Sequence, residues 1–276
     1  MIIMKKWKIT SLYYGALTIP KGFATPGVDT DLVFESPYIG YLLQNGEENI
    51  LVDTGIRDDF IVDGKAYAGF PGKGGKQYVI DALAKEGLKP SDIDKVFYTH
   101  LHNDHAGNAL MFKDIPTYFQ KDEYSNLLNQ IPSQKIRRDY DKRTPDDMQQ
   151  LSSVFMINGN FKMTNGLEIY KTPGHSLGSM IIVVPTEKGR YVITGDMPHI
   201  CVYMFPMMDE YQLIDGSFVK ITPMPQYLPF FCSGQIYDHW AAFDSFYLIK
   251  SMAEEFKPEY MLTGHDPWVI FRHNFG

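Results

Sequence analysis

Within six consecutive positions, His100-Leu101-His102-Asn103-Asp104-His105, four side chains are of the metal-ligand type. Imidazole and carboxylate are donors that suit zinc, and also iron, manganese or cobalt. His100 and His102 stand two residues apart, so at the extended end of a strand both project from one face and can grip a single ion. Asp104 and His105 follow as the chain turns and can reach a second ion beside the first. Three more candidates each follow a short apolar run and adjoin a glycine: Thr172-Pro173-Gly174-His175-Ser176, Thr194-Gly195-Asp196 and Thr263-Gly264-His265-Asp266. The glycine lets the backbone turn sharply while its neighbour points into a shared cleft. Singly, each of these is more often an ordinary turn residue; together with the first cluster they complete an inventory for two ions. His100, His102 and His175 serve one, Asp104, His105 and His265 the other, and Asp196 bridges both. Two ions placed side by side acidify a water and polarise a carbonyl, which is hydrolytic chemistry.

The elements that must position these residues are legible as alternating apolar runs. Trp7–Ile19, Tyr38–Leu43 and Asn49–Val52 read as strands, with Gly46 in a hairpin turn and Asp53-Thr54-Gly55 closing the third. Residues 57–76 are glycine-rich and aperiodic, a long loop; Gly72-Lys73-Gly74-Gly75-Lys76 lacks the Ser or Thr and the spacing of a phosphate loop. Tyr78–Glu86 reads as a helix, and Lys95–Thr99 as a short strand that delivers His100. The polar stretch 121–154 reads as helical, with Thr144-Pro145-Asp146-Asp147 as a helix start. Leu167–Lys171, Met180–Val184, Tyr191–Thr194 and Tyr260–Leu262 read as strands, and Tyr237–Phe256 as an amphipathic helix. Strands in both halves, each set followed by helices, imply an α/β protein of αββα layering, two packed sheets with helices outside. No repeat or low-complexity tract divides it, so residues 1–276 are expected to form one domain.

Composition narrows the partners. A net charge of −7 and the want of a basic arm weigh against nucleic acid. Lys135, Arg137 and Arg138, followed by Asp139 and Asp141, read as a solvated face. No apolar stretch reaches membrane-spanning length, and the start MIIMKKWKIT has no signal-peptide core, so a cytoplasmic protein is expected. Cys201 and Cys232 have no framework or metal spacing. The chain holds 18 Phe, 18 Tyr, 3 Trp and 14 Met, and the surplus concentrates in residues 197–243. Pro198, Pro206, Pro223, Pro225 and Pro229 interrupt that segment, which reads as an irregular insertion. Phe205, Met207, Phe230 and Phe231 are candidates for an apolar substrate wall, the alternative being core or a homodimer contact.

Taken together, Asp53-Thr54-Gly55, the H-x-H-x-D-H run and the downstream ligands resemble the metallo-β-lactamase superfamily over nearly the whole chain. The resemblance implies a dinuclear metallo-hydrolase, with zinc the first choice of metal, in which Asp53 supports the metal loops from behind the ligands. An aspartate at position 196 resembles the pattern of glyoxalase II, the tRNA-processing nucleases and the acyl-homoserine lactonases rather than that of the true β-lactamases. Only eleven residues follow His265, too few for the helical extension of glyoxalase II. The pattern is closest to the quorum-quenching N-acyl homoserine lactonases. That implies opening of a lactone with an apolar group, by a hydroxide held between the metals, with Asp104 passing the proton to the leaving group. Other esterase, thioesterase or phosphodiesterase activity, or a metal-binding module without activity, are the alternatives. One departure stands out: those lactonases carry a tyrosine three residues after the bridging aspartate, and here the residue is His199, expected to donate a hydrogen bond to the substrate in its place.

Overall fold

Thirteen residues of alternating side chains make β1 (Lys8–Pro20), the long strand on which the first sheet is built. The computed structural model describes residues 6–224, 228–232 and 234–276. In chain order the other strands of this sheet are β2 (Val33–Gln44), β3 (Asn49–Val52), β4 (Gly72–Gly74), β5 (Lys95–Phe97), β6 (Thr117–Gln120) and β7 (Val154–Ile157). The second sheet comprises β8 (Phe161–Lys162), β9 (Glu168–Lys171), β10 (Met180–Thr186), β11 (Gly189–Gly195) and, after the small ribbon β12 (Glu210–Gln212) and β13 (Phe218–Lys220), β14 (Met261–Thr263). A last strand, β15 (Asn274–Phe275), returns to pair with β1, so the first sheet runs β15-β1-β2-β3-β5-β6-β7 with β4 beside β1.

Parallel neighbours need crossovers, and the helices supply them. After α1 (Lys21–Ala24), α2 (Lys76–Lys85) lies between β3 and β5 and packs on β1; α3 (Asn103–Ala106) follows β5; α4 (Lys121–Leu128), α5 (Pro132–Arg137) and α6 (Thr144–Gln149) separate β6 from β7. On the other side α7 (His239–Met252) packs on β11, while α8 (Pro267–Arg272) covers β1 and β2. The αββα layering is thus present, with a core of buried side chains running from Trp7 to Phe275. No described helix is long and apolar enough to cross a membrane.

Strand direction decides where the ligands go. In the first sheet β3, β5, β6 and β7 are parallel. In the second, β9 and β11 both run antiparallel to β10, and β14 is parallel to β11. So β9, β11 and β14 end at one edge, and each is followed there by a candidate ligand. The two edges are tied together by Met180 N donating to Thr99 O at 2.9 Å and Ile39 N to Gly264 O at 3.2 Å.

Two regions differ from the sequence expectation. Within the glycine-rich stretch, Gly72–Gly74 is β4, because Gly15 and Gly74 let two backbones touch: a Cβ on Gly15 would lie 2.0 Å from Lys73 O. The segment 197–243 contains the β12–β13 ribbon, and its large side chains Tyr203, Tyr211 and Phe230 are buried in the main core. Pro225 lies outside the described residues.

Candidate metal centre

All seven sequence-derived ligands meet at the shared edge. His100, His102 and His175 bring one ligand atom each within 4.8 Å of one another; so do Asp104, His105 and His265, and so do His100, His105 and Asp196. Except for Asp104, which is 13% exposed at its side chain, the set is buried. Asp196 lies between the two groups. Its Oδ2 is 3.3 Å from His175 Nε2, whereas its Oδ1 is 3.1 Å from His105 Nε2 and 3.2 Å from His265 Nε2. Close approach here requires Gly264, since a Cβ at that position would fall 2.5 Å from Asp196 Oδ1.

Imidazole has two nitrogens, and the outer one is occupied in most of these rings. Nδ1 of His105 lies 2.8 Å from Asp53 Oδ2, that of His175 2.9 Å from Gln235 O, that of His265 2.8 Å from Pro37 O, and that of His100 3.2 Å from Thr99 Oγ1. The Nε2 atoms of His100, His105 and His265, with Asp196 Oδ1, are buried and have no hydrogen-bond partner. Such atoms are costly unless something else binds them. His102 reverses the pattern: its Nδ1 lies 3.0 Å from His175 Nε2, and its Nε2 is the buried atom without a hydrogen-bond partner. An all-nitrogen-and-oxygen donor set with outer atoms held and inner atoms orphaned fits divalent cations of the zinc, iron, manganese or cobalt type.

In three of the rings protonation agrees with that use. Burial and the neighbouring imidazoles hold His100 and His102 well below the usual histidine range, and burial takes His175 down to about 4. These rings are neutral, the form that binds metal. Burial alone would lower His105, but Asp196 and Asp53 raise it well above its ordinary value. Burial alone would also raise Asp196, yet His265, His105 and His199 hold it well below the carboxylate range.

Asp53 reaches further than one ring: its Oδ1 accepts Thr99 N at 2.8 Å and its Oδ2 accepts Thr99 Oγ1 at 2.7 Å. It sits at φ 61°, a conformation that asparagine tolerates. Asp53→Asn should therefore keep the turn while removing the charge behind His105, weakening zinc binding by about 10- to 100-fold. Competition with a chromogenic chelator measures this; an affinity equal to wild type would reduce Asp53 to a turn residue.

His199 lies on the wall of a cavity of about 670 Å³ that opens beside the ligands. Its ring stacks on His265 with centroids 4.1 Å apart, and Nδ1 is 2.9 Å from Asp196 Oδ2. An ionised carboxylate only accepts, so Nδ1 carries the proton. Burial holds His199 at about 4, leaving Nε2 an acceptor. Donation to a substrate carbonyl, the role expected from sequence, conflicts with this tautomer.

The four candidates for an apolar substrate wall are placed elsewhere. Phe205 stacks on Phe256, Phe230 packs against Phe243, Phe246 and Tyr247, Phe231 lies edge-on to Tyr203, and Met207 is half exposed; none of them lines the cavity. Its apolar walls come from Leu17, Ile19, Phe23, Phe60 and Ala66 instead. Arg137 and Arg138, read from sequence as a solvated face, also line it. Sequence reasoning passed over Tyr67, which donates to Asp104 Oδ1 at 3.3 Å, and Glu123, a buried carboxylate behind the histidine loops. A tyrosine in a glycine-rich loop and an acid in a polar helix carry no local signal of either role.

The model of the metallo-beta-lactamase superfamily matches residues 40–203. The N-acyl homoserine lactonase of Bacillus cereus is 28% identical over 160 residues, which is 55% of this chain and 60% of that protein, so less than two thirds of that relative is spanned. An N-acyl homoserine lactone hydrolase with the product N-hexanoyl-L-homoserine at its catalytic metal centre superposes with a TM-score of 0.70 at 22% identity, covering 96% of this chain and 94% of that one. AidC, a dizinc quorum-quenching lactonase in complex with a product, superposes with a TM-score of 0.67 at 17% identity, covering 97% and 90%. At those identities the two structures establish a shared fold.

Proposed function

Because the chain belongs to the metallo-β-lactamase superfamily, we propose that it is a dinuclear metal-dependent hydrolase that opens a lactone carrying an apolar group. The observation that carries this reading is the split of Asp196, one oxygen toward His175 and the other toward His105 and His265. His100, His102 and His175 would hold one ion, Asp104, His105 and His265 the other, and Asp196 both. Zinc fits the donor set, and a similar fold carries two zinc ions in AidC. When bound, paired divalent ions supply Lewis acidity and bring the pKa of water toward neutrality.

The chain's own side chains do the rest. Asp104 is the least buried of the ligands, borders the cavity, and is oriented by the Tyr67 hydroxyl. It can therefore take a proton from the attacking water and return it to the leaving alkoxide. His199 keeps one Asp196 oxygen in place and offers Nε2 as an acceptor, which suits the N–H of an acylamino lactone. The walls from Leu17 to Ala66 exclude water and take up an apolar chain.

A hydrolase screen tests the reading. Metal-loaded protein is offered N-acyl homoserine lactones of several chain lengths, bis(p-nitrophenyl) phosphate and acyl-glutathione thioesters, with bound metal quantified alongside. Ring opening, followed by acid release, is expected to outpace both other reactions. Faster phosphodiester or thioester cleavage, or inactivity on every substrate, would refute lactone hydrolysis.

A further inference from the structure

The cavity has one cationic stretch of wall, supplied by Arg137 and Arg138 at the end of α5 and just beyond it. The two arginines are not equivalent. Arg137 is engaged on all sides: its Nε lies 3.2 Å from Asp139 Oδ1, a terminal nitrogen donates to Gly234 O at 3.1 Å, and its guanidinium lies 5.6 Å from the Tyr237 ring centroid. Arg138 adopts φ 59° and ψ 43° as the left-handed residue that ends α5, its backbone N–H donating into the last turn, so its side chain leaves the helix axis. Its guanidinium stands 4.6 Å from the Phe60 ring centroid, and no carboxylate among the described residues pairs with it.

Phe60 connects that cation to the metal ligands. Its ring centroid is 4.7 Å from that of Tyr67, whose hydroxyl reaches Asp104. Arg138 therefore ends a short aromatic row that starts at a candidate ligand; Leu17, Ile19, Phe23 and Ala66 add apolar wall, with Ser36, Gln235 and Asp139 among its polar members. A guanidinium placed over an aromatic ring spends no N–H donor on a carboxylate, and its paired donors match a carboxylate in bidentate geometry. A neutral alkyl end gains nothing from such a group.

We propose that Arg138 is a specificity-determining residue that receives a carboxylate at the distal end of the substrate, so that the site takes lactones or esters whose apolar acyl part ends in a negative charge. This rests on the hydrolytic reading of the site and refines the substrate class.

The test compares two lactones of equal chain length, N-hexanoyl homoserine lactone and its ω-carboxy counterpart N-(5-carboxypentanoyl) homoserine lactone. Metal-loaded wild type is expected to favour the carboxylated lactone by about tenfold in kcat/KM, mainly through KM, with the ratio shrinking as salt rises. In Arg138→Ala the ratio should fall to about one, and Arg138→Lys should retain part of it. A wild-type ratio at or below one, or a ratio that survives Arg138→Ala, overturns the proposal. Calorimetric binding of adipate and hexanoate to the same proteins gives a reading independent of turnover. If neither lactone is opened, the hydrolytic reading fails. Tighter binding of adipate that disappears in Arg138→Ala would still support the anion site, and equal binding of the two acids would overturn it.

Discussion

Asp196→Ala is expected to cost the protein at least one of the two ions proposed for it and to lower the proposed lactone turnover by roughly a hundredfold or more, a loss at or beyond the upper end for removing a mere supporter of a ligand. Asp196 follows directly on β11 and Gly195, and its two oxygens face imidazoles delivered by three other segments: His175 after β9, His265 after β14, and His105 in α3. Among the described residues no other carboxylate spans both groups, because Asp104 belongs with His105 and His265 only, its Oδ2 3.6 Å from His265 Nε2. Removing it leaves two sets of ligands with no shared anion between them. The measurement is metal content by elemental analysis, together with the rise in melting temperature on adding zinc to chelator-treated protein. A ligand that binds only the folded state raises stability with its concentration, so the zinc-dependent increment reports the site itself. Wild type should show a large increment and Asp196→Ala a much smaller one. An unchanged increment with two ions still bound would show that the carboxylate bridges nothing.

Much of this centre was legible in the sequence because its ligands combine rare residue types with strand ends. The run from His100 to His105 is local, and His175, Asp196 and His265 each adjoin a glycine at the end of a recognisable apolar run. What joins them was not legible, since contacts between distant segments leave no periodic trace. Pro37 O and Gln235 O, which orient His265 and His175, are backbone atoms, and any residue type can supply a carbonyl. The aromatic surplus after Asp196 misled for a related reason. Proximity in sequence to a ligand does not set the direction of a side chain, and Phe230 turns into the cluster around Phe246 and away from the cavity. Arg137 and Arg138 reach the cavity from α5, about sixty residues earlier in the chain, where local composition indicated only a charged surface.

Glu123→Ala is expected to lower the stability of the metal-free protein by about 3–5 kcal/mol, the scale of leaving several buried donors without their acceptor. Glu123 lies in the first turn of α4, fully buried, with four donors on its carboxylate. Its Oε1 accepts Leu101 N at 3.0 Å and Tyr140 Oη at 2.8 Å, while its Oε2 accepts Ser176 Oγ at 2.5 Å and Gly178 N at 3.0 Å. Leu101 lies between His100 and His102, and Ser176 follows His175, so one side chain ties together the two loops that carry the first group of ligands. The approach is tight as well: a Cβ on Gly178 would lie 2.1 Å from Glu123 N. Burial pushes the Glu123 carboxyl up, and the four donors pull it back. Truncation leaves the N–H groups of Leu101 and Gly178 without an acceptor, each a penalty of about 1–3 kcal/mol before relaxation, whereas the Tyr140 hydroxyl still reaches Asn126 Oδ1 at 3.0 Å and that of Ser176 still reaches Ser179 Oγ at 2.7 Å. For a chain of this size the loss corresponds to a melting temperature lower by on the order of 10 °C. Glu123→Gln keeps the shape but turns an amide nitrogen toward donors, so it should recover only part of the loss. The contrast with Asp196 is the informative one: Asp196→Ala should act chiefly on the zinc-dependent increment, whereas Glu123→Ala should lower the chelator-treated baseline. A baseline within a degree or so of wild type would mean that water replaces the carboxylate and that the two loops are held by their own backbone contacts.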